Sequence, residues 1–78
     1  MTKAIVSLTM ARSGKELLVI AIEGGWGVRR RLTEMGLREG AKCKLMQSGA
    51  PGPRVVLVGN TRLALGYGMC QRVLVQEV

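Results

Sequence analysis

Eleven glycines and two prolines divide a chain of 78 residues into short segments. Gly and Pro break helices and central strands, so no long element fits between them. The intervening runs are short, rich in Val, Ile and Leu, and closely spaced, which is the pattern of a small β-barrel. The length allows one domain, residues 1–78, and excludes a Rossmann fold or a kinase.

The run Leu17 to Ile22 is apolar without interruption, which predicts a strand covered on both faces. Its second face would meet a helix, the N-terminal arm or another copy of the chain, and weak self-association is therefore expected. Gly24-Gly25-Trp26-Gly27 ends it in a turn. A short helix over Val28 to Met35 is predicted next, because Val28, Leu32 and Met35 form one stripe at i, i+4 and i+7. Gly36 suits the left-handed position after the helix, with Leu37 folding back on Leu32.

Ala41 to Gln47 alternates cleanly. Ala41, Cys43 and Leu45 lie on one face and Lys42 and Lys44 on the other, so Cys43 belongs to the core. Ser48 to Pro53 reads as a turn, Val55 to Val58 as a strand and Gly59-Asn60 as a hairpin turn. Arg62 to Leu65 returns, Gly66-Tyr67-Gly68 turns, and Cys70 to Val75 closes the sheet. The expected class is mainly β, a small SH3-like barrel of about five strands with one short inserted helix. An OB-fold is the nearest rival, although its helix would come later in the chain.

Twelve Lys and Arg against five Glu leave a net charge of +7. Such a surface attracts nucleic acid, anionic membrane faces and acidic proteins. One Trp, one Tyr and no Phe leave almost nothing for bases to stack on, so no specific nucleic-acid binding is expected. No apolar run approaches the roughly 20 residues that span a bilayer, and direct membrane insertion is not expected. The N-terminal stretch is too short and polar for a signal peptide, which points to the cytoplasm. Cys43 and Cys70 form no zinc-binding spacing and read as buried filler in a reduced protein. Met10, Met35, Met46 and Met69 read as core filler as well.

Glu23-Gly24-Gly25, followed by Arg31-Leu32, Met35-Gly36-Leu37 and Gly40, resembles the FeoA family of ferrous iron transport proteins. Gly52-Pro53, Val55-Val56 and Arg62-Leu63-Ala64-Leu65-Gly66 match the same pattern, and Leu8 to Gly14 is similar. The resemblance implies an SH3-like domain working in the bacterial cytoplasm with FeoB, a membrane permease bearing a GTPase domain. A stand-alone relative of the C-terminal SH3-like domain of metal-dependent repressors, or a basic nucleic-acid-binding barrel, is the alternative.

No residue set suits catalysis. Histidine is absent, and neither paired carboxylates nor a Ser-His or Cys-His couple occurs. Ferrous iron prefers imidazole and carboxylate ligands. With no His, no Asp and scattered Glu, the chain is expected to hold no metal and no cofactor. Gly25-x-Gly27 lacks the third glycine of a dinucleotide fingerprint, so Gly24, Gly25, Gly27 and Gly36 read as structural turn residues.

Arg29, Arg30 and Arg31 oppose the dipole of a helix that begins at Val28, and Arg30 to Glu34 is the poorer order of an i,i+4 pair. Local stability does not explain them, which leaves a solvated face or a partner-binding patch. Arg31 also has a structural reading, in which it hydrogen-bonds loop carbonyls. An exposed Trp26 beside them has the composition of an interface hot spot; the alternative is a ring packed over the end of the barrel. Trp26, Arg29, Arg30 and Arg31 are therefore the expected contact residues for the transporter's GTPase domain.

Overall fold

The computed structural model describes residues 4–46 and 53–78. The order is β1 (Ile5–Ser7), a 3-10 turn (Leu8–Met10), β2 (Glu16–Ile22), α1 (Trp26–Glu34), β3 (Lys42–Leu45), β4 (Arg54–Val58), β5 (Thr61–Leu65), α2 (Tyr67–Gln71) and β6 (Val73–Glu77). The strands form one sheet in the order β1-β6-β2-β3-β4-β5, antiparallel at every pairing. The predicted mainly β architecture with its helix after the first long strand is the one observed. The N-terminal arm contributes the additional short strand β1, paired with β6 through Val6 and Val75.

The core is one cluster that includes Leu8, Leu17, Val19, Leu32, Leu37, Leu45, Val56, Leu65, Val73 and Val75. Residues from almost every element meet in it, as expected of a sheet that wraps around a single interior.

The continuous apolar run in β2 has a specific cause. Val19 opposes Val75 while Ala21 opposes Leu74, so one residue, Ile20, is extra on the β2 side. A bulge of this kind shifts side-chain parity by one. Leu17 and Val19 point inward before it, and Ile22 points inward after it. Strict alternation would set Ile20 and Ile22 on one face. The bulge separates them and leaves Leu18 and Ile20 half-exposed.

Four local expectations need correction. The helix begins at Trp26 with Gly25 as its N-cap, two residues before Val28, because nothing in Trp26-Gly27 forbids helical backbone. Tyr67-Gly68 is the start of a second helical turn, α2, with Gly66 at its N-cap. Cys70 consequently lies in α2, fully buried, and the last strand begins only at Val73. Met10 and Met46 are exposed, while Met35 and Met69 pack against the core as expected. The turn expected within Ser48 to Pro53 falls largely outside the described residues.

Cys43 alternates inward in β3 and is buried, with Lys42 on the opposite face exposed. Burial pushes the Cys43 thiol up to about 11. The Cys70 thiol is also raised by burial, partly opposed by the nearby Arg54 charge. Both cysteines are free.

Candidate partner interface

The helix α1 is placed by its two ends. At its start, Gly24 adopts φ +123°, a conformation that disfavours any residue with a Cβ. A Cβ there would also come within 2.9 Å of the Arg72 guanidinium. The Glu23 N–H donates to the Arg72 carbonyl at 2.7 Å, tying this turn to the end of α2.

At its C-terminus, Gly36 has φ +95°. The Leu37 N–H donates to the Leu32 carbonyl and the Gly36 N–H to the Thr33 carbonyl, both at 2.9 Å. This is the predicted Schellman ending, completed by the two fully buried leucines, Leu32 and Leu37. Gly25 and Gly27 are less demanding. Gly25 is the N-cap and Gly27 the second helical residue, so Gly27 is not part of the turn, and both have open space where a Cβ would lie.

With Val28, Leu32 and Met35 packed toward the core, the rest of the helix surface follows from about 100° of rotation per residue. Trp26, Arg30 and Thr33 form the outward crest. Arg29 falls on one flank and Arg31 on the other, so the four expected contact residues do not form one flat patch. Trp26 is 82% exposed, the largest exposure of any large apolar side chain in the described residues.

Arg30 reaches Glu34 at 3.4 Å and Arg29 reaches Glu39 at 3.5 Å, all four side chains being solvent-exposed. Because the helix starts at Trp26, the arginines sit in its middle and last turn, and the expected conflict with the dipole falls away. Arg31, in the last turn, is favourably placed. It has no ion-pair partner among the described residues. The first turn has neither an acidic residue nor a side-chain cap, and with Arg72 beside Gly24 that end of the helix is electropositive.

Two further exposed side chains escaped the sequence reading. Tyr67 is 54% exposed, with the Arg54 guanidinium 5.3 Å from its ring centre, and Met10 projects from the 3-10 turn against which α2 packs. The signal for Tyr67 was present: like Trp26, it is an aromatic residue held between glycines. Among the described residues, no group of three or more His, Cys, Asp or Glu could hold a metal ion. No helix of the described residues is long and apolar enough to cross a membrane.

The profile of the FeoA domain matches residues 6–77. The chain is 30% identical over 70 residues to Fe(2+) transport protein A of Methanocaldococcus jannaschii, covering 90% of this chain and 84% of that protein. A crystal structure of an iron uptake regulatory protein, FeoA, superposes with a TM-score of 0.89 at 35% identity, covering 96% of this chain and all of the other. The Stenotrophomonas maltophilia FeoA complexed with zinc, described as an SH3 domain protein and put forward as a ferrous iron transport activating factor, superposes with a TM-score of 0.78 at 27% identity, covering 90% of this chain and 88% of that one. The fold is shared with a manganese-dependent transcriptional repressor, at a TM-score of 0.86 and 18% identity, where this chain covers 44% of the other.

Proposed function

This chain belongs to the FeoA domain family, and from that premise we propose that it is a non-enzymatic accessory protein of ferrous iron uptake that docks through the crest of α1 on the cytoplasmic GTPase domain of a FeoB-type transporter. It acts in the cytoplasm by binding alone. A binding protein shifts a conformational equilibrium only through different affinity for the two states, so the docked form must prefer one nucleotide or assembly state of the transporter.

The observation that carries this reading is Trp26, exposed on the outer crest beside Arg30. A large aromatic ring in water has no role in holding the fold. With Arg30 one turn along the crest and Arg29 on the adjoining flank, it has the chemistry of an anchor that enters a partner pocket while cations meet an acidic rim. The surface pairs of Arg29 and Arg30 with Glu39 and Glu34 are worth well under about 1 kcal/mol each, so a stronger acidic partner can displace them.

The test is the double charge reversal Arg29→Glu with Arg30→Glu, and separately Trp26→Ala. Reversal sets like charges against Glu39 and Glu34, which costs the fold about 0.5–1 kcal/mol. At the interface it costs several kcal/mol. The variant should remain folded, lose binding to the transporter's cytoplasmic domain by calorimetry, and fail to restore ferrous iron uptake to a strain lacking the protein. Trp26→Ala should lose binding with no change in melting temperature. Normal uptake with either variant would remove the α1 crest from the contact surface.

A further inference from the structure

Both terminal strands of the sheet have an open side among the described residues, but β1 is only three residues long, which leaves β5 as the longer edge. β5 pairs with β4 on one side and with no strand on the other among the described residues. The direction of its backbone groups follows from the hairpin. Val58 and Thr61 flank the two-residue turn Gly59-Asn60, and in such hairpins the flanking pair exchanges both hydrogen bonds. Alternation then turns the backbone groups of Thr61, Leu63 and Leu65 toward β4, and those of Arg62 and Ala64 away from it. The Met46 N–H donates to the Val55 carbonyl at 2.8 Å, so Val55 faces β3 and Val56 faces β5, as this alternation requires.

The side chains along that edge are sorted. Across the outer face, Lys44, Leu57 and Arg62 are successive partners, giving a row of cation, leucine, cation. The neighbouring row ends in Val55 and the exposed Ala64. Neither β4 nor β5 carries an acidic residue, and Arg62 and Lys44 make no ion pair among the described residues. Natural edge strands are usually blunted by a proline, a bulge, extreme shortness or charged side chains. The one such device on β5 is the charge of Arg62, which an acidic partner turns from a barrier into a contact. β5 has five residues paired without a register shift and without a proline.

We infer that the β5 edge is a binding site for an extended acidic peptide segment, which adds as a further antiparallel strand by hydrogen bonding to Arg62 and Ala64. Side chains of an added strand that face the outer surface alternate. The segment therefore places an apolar residue opposite Ala64 and, two residues later, a carboxylate opposite Arg62. A second copy of this chain fits less well. Centring β5 on its twin at Leu63 would set Arg62 diagonal to its symmetry mate, about 7–8 Å away, between two chains of +7 each. The site lies apart from the α1 crest and does not depend on it.

The test uses the intact protein and the capped peptide Thr-Val-Thr-Glu-Thr-Glu-Thr, with Thr-Val-Glu-Thr-Glu-Thr-Thr, which sets Val and both Glu on opposite faces, as a control of equal composition. In amide hydrogen exchange followed by NMR, the free protein should protect Thr61, Leu63 and Leu65 while Arg62 and Ala64 exchange freely. The alternating peptide should slow Arg62 and Ala64 at least about tenfold, and the control should not. Ala64→Pro removes an outward N–H that the fold does not use, and should weaken peptide binding at least about tenfold with the exchange of the remaining core amides unchanged. Arg62→Glu should weaken it as much and leaves the backbone intact, so it decides the matter if the proline variant misfolds. Protection of Arg62 and Ala64 in the free protein, binding that perturbs the Trp26 indole but not these two amides, or unchanged binding by both variants would each overturn the site. Concentration-dependent protection without peptide would assign the edge to self-association instead.

Discussion

Cys43 is where a single residue reports most directly on the strand register. Its side chain is 4% exposed and its thiol is pushed up to about 11 by burial alone. Thiol reagents attack the thiolate, and at pH 8 a group with that value is ionised about once in a thousand molecules, against roughly one in four for a free cysteine. In a Cys70→Ala background the native protein should therefore react with a thiol reagent more than about a hundredfold slower than the denatured chain. The linkage has a definite sign. The folded value lies above the unfolded one, so between about pH 9 and 11 the unfolded chain loses its proton first, and stability falls as pH rises, by at most about 1.4 kcal/mol per unit. Denaturant melts over that range should show the fall, and Cys43→Ala should lessen it. Fast labelling at pH 8 would mean that Cys43 faces outward. This residue was legible because β3 alternates without interruption. Cys70 was not: Gly66-Tyr67-Gly68 carries no helical stripe, and the turn of α2 is stabilised by packing on the 3-10 turn, which is a tertiary contact.

Among the elements, α1 shows best what local sequence controls. Its ending follows from three adjacent residues: Met35 closes the helix, Gly36 takes φ +95°, and Leu37 returns to Leu32. Gly36→Ala should destabilise the protein by about 1–2 kcal/mol, since the left-handed backbone disfavours a Cβ and the new methyl would sit 3.3 Å from Val58. Thermal and denaturant melts of this one variant check it, and an unchanged midpoint would refute the strain. The helix start was harder to read, because Trp26 and Gly27 belong to no stripe, and the contacts with Arg72 that fix the preceding turn are made by Glu23 and Gly24. The bulge in β2 was invisible for a related reason. An unbroken apolar run is compatible with either parity, and only the ladder with β6 shows that Ile20 is the extra residue. Of the candidate interface, the exposure of Trp26 was one of two readings the sequence left open, and the division of Arg29 and Arg31 between opposite flanks depends on which side of α1 faces the core.

For the molecule as a whole, four carboxylates are tied to Arg12, Arg29, Arg30 and Lys42, which leaves the excess of cations spread over the surface. Exposed pairs contribute little, so self-repulsion should dominate the response to salt. Raising NaCl from about 20 to about 300 mM shortens the screening length several-fold, and the melting temperature should rise by about 2–8 °C; a fall would mean that the pairs outweigh the repulsion. The strand order has a consequence in time. β6 lies between β1 and β2, and Arg12 closes that side with two bonds of 2.9 Å to Glu77. A ribosome adding about 5–20 residues per second completes β2 about 3–11 seconds before β6, and β5 only about 1–2 seconds before it. These strands can pair as a meander while they wait, but one edge of β2, with Leu17 and Val19 beside it, has no neighbour until the final strand emerges. The barrel therefore cannot close from the N-terminus as it is made, and the nascent chain spends its most aggregation-prone interval with the centre of its future sheet exposed.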